Sequence, residues 1–343
     1  MTKRAIVLFN LGGPDAPESV QPFLFNLFND PAIIGLPNPF RFLLAKLIST
    51  RRAPVAQEIY SHLGGKSPLL DLTRKQADAL EKALEEEGTE TRAFIAMRYW
   101  HPMSDETAKA VKAFDPDQIV LLPLYPQFST TTTGSSVKEW HRAAKAAGLN
   151  KPTVTTCCYP EDNGFVDAVT RLTRASLAEA GENPRLLFSA HGLPKKVIAK
   201  GDPYQWQVEQ SAARVVEKLA IEGLDWQVCY QSRVGPLEWI GPSTEDEIER
   251  AGRDGKKIVL VPIAFVSEHS ETLVELDIEY RELADKVGVK DYLRVPTVCS
   301  EPEYIQGLAA IVKTATQWDD APRCATGNRV CPATWSQCPC RMN

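Results

Sequence analysis

Residues 258–280 read IVLVPIAFVSEHSETLVELDIEY, in which an apolar, β-branched run changes abruptly into an acidic stretch. The apolar run predicts a buried strand, and the acidic stretch predicts a helix that begins at the end of that strand. Residues 119–140, IVLLPLYPQFSTTTTGSSVKEW, repeat the pattern with hydroxyl side chains in place of the acids. The chain therefore contains one strand-to-helix arrangement twice.

Two further pairs of segments recur in the same order. LFNLGGP at 8–14 resembles LFSAHGLP at 187–194, and MRYWHPMSDETAKAV at 97–111 loosely matches YQSRVGPLEWIGPSTEDEI at 230–248. Between and after them, strand-like runs alternate with helical patterns, which indicates parallel sheets covered by helices. Strands are predicted at 5–11, 93–99, 119–125, 185–190, 227–231, 258–265 and 293–298, and helices at 71–87, 161–180, 204–222 and 303–316.

The repeat predicts an α/β protein with two similar Rossmann-like, doubly wound domains. The first spans 1–150 and carries a lip insertion at about 30–80, the second spans 151–318, and a cysteine-rich tail covers 319–343. Ligands of open parallel sheets bind outside the carboxyl ends of the strands, where all the repeated segments fall. We therefore expect two facing domains to enclose one cleft.

Composition excludes several classes of protein. The 343 residues carry a net charge of −5, which argues against a general nucleic-acid grip. No apolar run approaches the roughly 18 residues of a transmembrane helix. The N-terminal MTKRAIVLFNLGGP lacks the long apolar core and the cleavage site of a secretory signal, so a cytoplasmic protein is expected.

The acidic helix after 258–265 carries the strongest chemical signal. Glu271 and Glu275 are four residues apart and share a helix face, with Glu268 one turn earlier and His269 beside it. His191 follows another apolar strand. Such groups suit proton or metal handling, although a solvated acidic face and a hydrogen-bonded turn histidine are alternatives. No nucleophile elbow, kinase signature or zinc-protease helix is present.

Half of the eight cysteines crowd the tail. Cys324, Cys331, Cys338 and Cys340 can form a tetrathiolate zinc site or a [2Fe–2S] cluster, and their spacing differs from that of a zinc ribbon. Unligated cysteines in a frayed tail are the third alternative. Cys157, Cys158, Cys229 and Cys299 lie in strand-like runs.

The segment 37–52, PNPFRFLLAKLISTRR, interleaves large apolar residues with basic ones. A lip that dips into a membrane surface or contacts an apolar ligand has this composition. An ordinary amphipathic core helix has it too, and composition alone favours that interpretation.

In combination and in order, NLGGP, LGGKSP, MRYWHP, YPQFSTTTTGSS, SAHGLP, GDPY, VGPLEWIGP and ETLVELDIEY resemble the ferrochelatase family from about residue 6 to 312. The resemblance implies two Rossmann-like domains around a porphyrin cleft. It also implies insertion of Fe(II) into protoporphyrin IX with release of two protons, the last step of haem biosynthesis, without an organic cofactor.

The resemblance also assigns roles to residues. His191 becomes the pyrrole proton acceptor or the first iron ligand, Glu271 faces it across the porphyrin, and Glu275, Glu268 and His269 form an acidic path behind. The remaining matches line the opposite face (Leu11, Arg98, Tyr99), the propionates and cleft mouth (Arg51, Arg52, Tyr60, Ser67) and the macrocycle (Trp239).

The tail departs from animal members of the family, which use three tail cysteines and one placed before the TTGSS loop. Thr130 stands at that loop position here. We therefore expect a self-contained [2Fe–2S] cluster on Cys324, Cys331, Cys338 and Cys340, with Cys158 as a substitute ligand. The resemblance also favours a lip that touches the inner membrane over a core helix. The expected oligomeric state is a monomer or a homodimer.

Three alternatives to this function remain. A related chelatase would insert Co(II) or Ni(II) into sirohydrochlorin, and a closer variant would insert iron into coproporphyrin III. A haem carrier without turnover would need a firm axial ligand and would survive loss of Glu271. The long apolar lip favours protoporphyrin.

Overall fold

The computed structural model describes residues 1–233 and 237–340, so residues 234–236 of the predicted VGPLEWIGP motif lie outside it. The chain forms two compact units. Unit 1 comprises Met1–Tyr125, Ser129–Cys157 and Val312–Pro322, and unit 2 comprises Pro126–Phe128, Cys158–Ile311 and Arg323–Asn343. A division by internal packing does not test which ranges fold alone, so the domain bounds at 150 and 318 remain predictions.

Unit 1 is built on a parallel sheet in the order β2-β1-β3-β4. Its strands are β1 (Thr2–Asn10), β2 (Thr89–Met97), β3 (Gln118–Pro123) and β4 (Thr153–Thr155). Its helices are α1 (Val20–Phe28), α2 (Phe40–Ser61), α3 (Leu69–Ala83), α4 (Ser104–Phe114) and α5 (Thr133–Ala147). Residues 5–9 of the central strand are at most 1% exposed, as expected for a strand covered on both faces.

Unit 2 is built on a parallel sheet in the order β6-β5-β7-β8. Its strands are β5 (Pro184–His191), β6 (Trp226–Gln231), β7 (Lys257–Pro262) and β8 (Tyr292–Arg294). Its α-helices are α6 (Asn163–Ala180), α7 (Lys195–Ala199), α8 (Tyr204–Leu219), α9 (Thr244–Arg253) and α10 (Tyr280–Lys286), and α11 (Pro302–Ala315) begins here and ends in unit 1.

The two sheets share strand order and register. Phe9 pairs with Pro123 on β3, and Ser189 pairs with Pro262 on β7, so Leu11 and His191 occupy equivalent positions two residues on. Likewise Met97 N–H donates to Pro102 O and Tyr230 N–H donates to Pro242 O, which makes Arg98 equivalent to Gln231. The predicted α/β class with two similar doubly wound halves is confirmed.

Each predicted strand overlaps an observed one, although 293–298 does so only at its first two residues. The three-residue edge strand β4 was not predicted. Of the four cysteines assigned to strand-like runs, only Cys229 lies in a strand; Cys157 and Cys158 follow β4, and Cys299 has a positive φ of 40°. The runs are apolar because they are buried, and burial does not require an extended backbone.

The helix after β7 is not an α-helix at its start. Glu271–Glu279 form a π-helix, in which Tyr280 N–H donates to Glu275 O five residues earlier, and α10 continues from it. Such wide turns are rare and concentrate at functional sites. This segment positions both predicted glutamates.

The lip lies in unit 1, where the connection from β1 to β2 contains α1, α2 and α3. On α2 the buried residues are Ala45, Ser49, Ala53 and Tyr60. Phe40 and Leu43 on the same helix are 65% and 60% exposed, so the large apolar side chains point outward. The expectation from composition of an ordinary core helix is therefore wrong. Within the described part of the chain, no helix combines the length and the hydropathy needed to span a bilayer.

Candidate active site and cysteine cluster

His191 ends β5, one of the two inner strands of the unit 2 sheet, and its Nδ1 lies 2.9 Å from Glu271 Oε2. The imidazole side chain is 41% exposed and the carboxylate 24% exposed. A hydrogen bond of this length leaves no room for a macrocycle between the two groups. The expectation that Glu271 faces His191 across a porphyrin is therefore wrong: both lie on one wall of the site.

Ser232 joins the two glutamates of the π-helix. Its Oγ lies 2.6 Å from Glu275 Oε2 and 3.3 Å from Glu271 Oε2, and its N–H donates to Glu275 Oε1 at 2.9 Å. Ser232 has a φ of +59°, the left-handed conformation that L-residues adopt at a cost. His191, Ser232, Glu271 and Glu275 are called the His191 cluster below.

Charge is shared unevenly within the His191 cluster. Burial would raise the pKa of Glu271, but His191 outweighs burial and lowers it to about 2. Burial would likewise lower the pKa of His191, and the nearby carboxylate raises it instead. Burial and the charge of Glu271 together raise the pKa of Glu275 to about 7. Near neutral pH the cluster therefore holds an ion pair and a second carboxyl group that can take or release a proton.

A row of hydrogen bonds continues from Glu275 towards α9. Tyr280 OH lies 3.1 Å from Glu275 Oε1 and 3.1 Å from Glu245 Oε1, in the first turn of α9. One hydroxyl proton cannot serve both carboxylates at once, so Tyr280 can donate to either. Carboxyl and hydroxyl groups thus alternate from Glu271 through Ser232, Glu275 and Tyr280 to half-buried Glu245.

The other two members of the predicted acidic path point elsewhere. Glu268 Oε1 accepts from Arg294 Nη1 at 2.6 Å and from Thr297 N at 2.9 Å. Burial opposes ionisation of Glu268, and Arg294 overcomes it and lowers the pKa. His269 is buried, which lowers its pKa, and its Nδ1 contacts Ser267 O at 3.2 Å. Among the described residues neither side chain hydrogen-bonds to the row from Glu271 to Glu245, and Arg294, which also pairs with Asp277, compensates the charge of Glu268.

Trp239 lies close to the end of β5. It forms a bridge with Pro194, and a Cβ added to Gly192 would come within 3.4 Å of its ring. Among the described residues its buried Nε1 has no hydrogen-bond partner. The predicted neighbour of the macrocycle therefore lies against Gly192 and Pro194, which follow His191 in the chain.

In unit 1, the ends of β1 and β2 carry a different network. Arg98 Nη2 donates to Asp30 Oδ2 at 2.8 Å, Tyr99 OH donates to the same oxygen at 2.9 Å, and Ser135 Oγ donates to it as well. The Asp30 side chain is only 2% exposed. Asp30, Arg98, Tyr99 and Ser135 are called the Asp30 cluster below; in it a permanent cation balances one carboxylate.

The other predicted unit 1 residues divide into two groups. Leu11, Tyr60 and Tyr99 pack in one apolar cluster, and Ser67 lies close enough to Gly13 that a Cβ on Gly13 would meet its Oγ at 2.5 Å. Arg51 and Arg52 are exposed on α2, with the Arg52 guanidinium 5.9 Å from the Phe28 ring. The structure thus brings together the apolar members and leaves the two arginines accessible.

Four buried cysteine sulfurs meet in unit 2. Cys158 Sγ lies 3.5 Å from Cys324 Sγ, while Cys324 and Cys331 hydrogen-bond to Cys338 and lower its pKa to about 3. Cys158, Cys324, Cys331 and Cys338 are called the sulfur cluster below. Cys340 is also buried, and its backbone hydrogen-bonds to Cys338. No disulfide joins any of the described cysteines.

The tail around the sulfur cluster is held by polar contacts. The Arg329 guanidinium donates to the carbonyls of Cys331, Pro332, Trp335 and Cys340. Gln337 N–H donates to Gly201 O at 3.0 Å, and Ala325 N–H donates to Cys158 O at 3.0 Å. The tail is therefore an ordered part of unit 2. Buried, soft thiolates without disulfides are suited to iron–sulfur or zinc ligation.

Sequence reasoning missed Ser232, Tyr280, Glu245 and Gln207. Ser232 follows the end of β6, a position the repeat already marked because its unit 1 equivalent is Tyr99. The other three have no local sequence signal, because each acts through a contact with a distant residue. Tyr280 OH contacts Glu245, which is 35 residues away in sequence, and Gln207 contacts Cys331, which is 124 residues away.

Comparisons with known proteins show the family to which the chain belongs. The family model described as Ferrochelatase matches residues 3–316. A ferrochelatase of Caulobacter vibrioides is 57% identical over 99% of this chain and 98% of its own. The ferrochelatases of Pelagibacter ubique and Rickettsia bellii are each 53% identical over 98% of this chain, covering 98% and 94% of their own lengths.

Solved structures with a similar fold are much more distant in sequence. SirB from Bacillus subtilis with Fe3+ superposes with a TM-score of 0.54 at 13% identity, covering 93% of this chain and all of its own. The sirohydrochlorin chelatase SirB from Bacillus subtilis subspecies spizizenii with cobalt gives a TM-score of 0.53 at 10% identity, with the same coverage. These two support the fold alone.

Proposed function

Because the chain belongs to the ferrochelatase family and is a chelatase that inserts Fe(II) into protoporphyrin, we propose that the His191 cluster performs the metallation. The observation that carries this proposal is the 2.9 Å contact between His191 Nδ1 and Glu271 Oε2. An imidazole and a carboxylate side by side can accept pyrrole protons and attract a dication. We propose that they act on the porphyrin from the same side.

Metallation releases two N–H protons, which need a route to solvent. We propose that the ion pair first gives one proton to the row, which leaves a neutral His191 whose Nδ1–H donates to Glu271 and whose Nε2 can accept a pyrrole proton. The Nδ1 proton then moves to Glu271, and Ser232, Glu275 and Tyr280 pass it to Glu245. Each hydroxyl in the row gives its own proton to one carboxylate as it receives another, so the chain of groups is unchanged after each transfer. The spacings of 2.6–3.3 Å support this route because each lies within hydrogen-bond reach.

The remaining predicted porphyrin contacts are proposals on the same basis. We propose that Leu11, Tyr60, Tyr99 and Trp239 contact the ring and that Arg51, Arg52, Arg98 and Ser67 bind its carboxylates or line the entrance. The accessible guanidinium groups of Arg51 and Arg52 support propionate binding. Arg98 is held by Asp30, so it can supply only the part of its fork that Asp30 and Ser135 leave open.

The direct test of function is an anaerobic insertion assay. The purified protein is offered Fe(II) or Co(II) with protoporphyrin IX, coproporphyrin III or sirohydrochlorin, and the metallated product is followed by its absorbance. We expect turnover to be fastest with Fe(II) and protoporphyrin IX. Faster cobalt insertion into sirohydrochlorin would contradict the assignment, and an inert protein that binds haem tightly would indicate a carrier.

We propose that four of the five thiolates of the sulfur cluster and Cys340 hold a [2Fe–2S] cluster. Three of the four predicted tail ligands, Cys324, Cys331 and Cys338, lie within the sulfur cluster, and Cys158 adds a sulfur from outside the tail. When bound, such a group would crosslink the tail to the residues after β4. The family model ends at residue 316, before these tail cysteines, which supports a stabilising role rather than a step in metallation.

Metal and sulfide analysis tests this cofactor. Protein purified without added porphyrin should be red-brown, with about two iron and two sulfide per chain if the cluster is [2Fe–2S]. A colourless preparation that contains zinc instead would reject it. Deletion from Cys324 onward should lower the unfolding temperature and leave turnover at 25 °C close to that of the full chain. Loss of turnover with an unchanged unfolding temperature would place the cofactor in the reaction.

We propose that the lip binds the surface of the inner membrane from the cytoplasmic side. The support is the outward direction of Phe40, Phe42, Leu43 and Leu47, with Lys46 between them for anionic headgroups. Phe40→Ser with Leu43→Ser should abolish flotation with phosphatidylglycerol-containing vesicles, and Val55→Ser, equally exposed on α2, should not. Flotation of the double variant at the wild-type level would contradict the proposal.

A further inference from the structure

Gln207 is a fully buried amide on α8, at the centre of the contacts between α8 and the sulfur cluster. Its Nε2 lies 3.0 Å from Cys331 Sγ and 3.4 Å from Cys158 Sγ. Its Oε1 accepts from Phe128 N–H at 2.7 Å. The two sulfurs come from distant parts of the chain, and this one side chain reaches both.

The orientation of the amide is determined by its partners. Phe128 N–H can only donate, so it requires an oxygen opposite, and a thiolate can only accept, so it requires an N–H. Exchanging Oε1 and Nε2 would break all three contacts at once. The –NH₂ group has two protons and two sulfur neighbours, which gives each proton an acceptor.

We infer that Gln207 is a positioning residue for the iron–sulfur cofactor, whose amide donates a hydrogen bond to each of two cysteine sulfurs. This inference rests on the proposed [2Fe–2S] cluster. Hydrogen bonds to ligand sulfurs withdraw electron density, stabilise the reduced cluster and hold the thiolates in place, so they raise the reduction potential and slow loss of metal.

The structure also shows why this position suits the role. Phe128 lies in the short segment Pro126–Phe128 that belongs to unit 2, and neighbouring Gln127 Nε2 donates to Ser211 Oγ, one turn along α8 from Gln207. The amide is therefore fixed from behind by a rigid helix and a bonded backbone. Water cannot reach the buried sulfurs to donate hydrogen bonds to them, so the fixed amide supplies these bonds instead.

Two variants separate the donor from the fold. Gln207→Glu keeps an oxygen for Phe128 N–H and replaces only the –NH₂ group, whereas Gln207→Met removes both functions at nearly constant length. Gln205→Met, on the same helix and bonded only to Glu209 among the described residues, is the matched control. Each is purified anaerobically as the full chain, and thermal unfolding followed by circular dichroism checks the fold.

The readouts are the midpoint potential from an anaerobic redox titration and the half-life of visible absorbance under a chelator. We expect a more negative potential and a roughly 10-fold shorter half-life for Gln207→Met, while Gln205→Met should match wild type. Gln207→Glu should show a potential that falls as pH rises, because only the protonated carboxyl can donate to sulfur.

If Gln207→Met does not fold, Gln207→Glu decides alone. A folded Gln207→Glu with the potential, pH independence and half-life of wild type would overturn the inference. Absence of iron and sulfide from the wild-type protein would instead overturn the proposed cofactor, so the two failures can be told apart.

Discussion

The His191 cluster and the Asp30 cluster occupy equivalent places in two sheets of the same order, yet they balance charge in different ways. Leu11 and Arg98 in unit 1 correspond to His191 and Gln231 in unit 2. In unit 1 a guanidinium, which never loses its proton, neutralises one buried carboxylate. In unit 2 one imidazole faces two carboxylates, so the charge depends on protons. The same frame therefore gives a fixed network in one unit and a titrating one in the other.

The largest expected effect is on the titrating side. Glu271→Gln removes the partner that keeps His191 basic, and we expect kcat for iron insertion to fall by about 10³-fold. The His191 pKa, measured by NMR, should fall as well because burial is then unopposed. Glu282→Gln, on the exposed face of α10, is the control. A variant within tenfold of wild type would show that Glu271 does not belong to the reaction.

On the fixed side the effect should be on stability. Asp30→Ala leaves the Arg98 guanidinium mostly buried without its partner, and we expect the free energy of unfolding in urea to fall by about 3 kcal/mol. Asp71→Ala removes a surface ion pair with Arg74, in which the Asp71 side chain is 55% exposed, and should change the free energy of unfolding by less than about 1 kcal/mol. Equal losses from the two substitutions would mean that the Asp30 cluster is not a structural element.

Glu275 predicts a pH dependence with a definite sign. Its folded pKa of about 7 lies above the ordinary 4.5, so the folded state holds the proton more tightly and unfolding becomes easier as pH rises from 4.5 to 7. Glu275→Gln removes this dependence of the free energy of unfolding on pH. Because the side chain is partly solvated, we expect the free energy of unfolding of the variant, relative to that of wild type, to rise by about 2 kcal/mol between pH 4.5 and pH 8. A difference that stays constant across this range would contradict the raised pKa.

The smallest effect concerns the strained link in the His191 cluster. Ser232→Gly and Ser232→Ala both lose the hydroxyl between the glutamates, but only glycine tolerates a φ of +59° without strain. We expect equal losses of kcat and a free energy of unfolding about 1 kcal/mol higher for the glycine variant. Its equivalent Tyr99 is outside the left-handed region in the structure, so Tyr99→Gly should give no such gain.

The repeat in the sequence was enough to predict the fold class, because buried runs that alternate with helical patterns recur in the same order in both halves. It also marked the positions of His191, Glu271 and Glu275, since His191 ends one strand and the two glutamates lie in the helix that follows another. The π-helix could not be predicted, because Glu271–Glu279 have an ordinary helical composition. Nor could the loss of Glu268 from the path, because its partner Arg294 lies 26 residues away.

The tail shows the same limit. Spacing predicted that Cys324, Cys331 and Cys338 meet, since they lie close in sequence. Cys158 joins them only because the tail returns to the residues after β4, a tertiary fact with no local signal. The lip was favoured by the family resemblance and not by composition, and only the structure shows that small residues occupy the buried face of α2.

The most direct test of the account compares two equivalent positions in one assay. His191→Ala and Leu11→Ala are assayed anaerobically with Fe(II) and protoporphyrin IX, after circular dichroism has shown that both variants are folded. The account predicts no detectable iron insertion by His191→Ala and measurable turnover by Leu11→Ala, with its main change in KM. Retained turnover by folded His191→Ala would contradict the claim that metallation takes place at the end of β5.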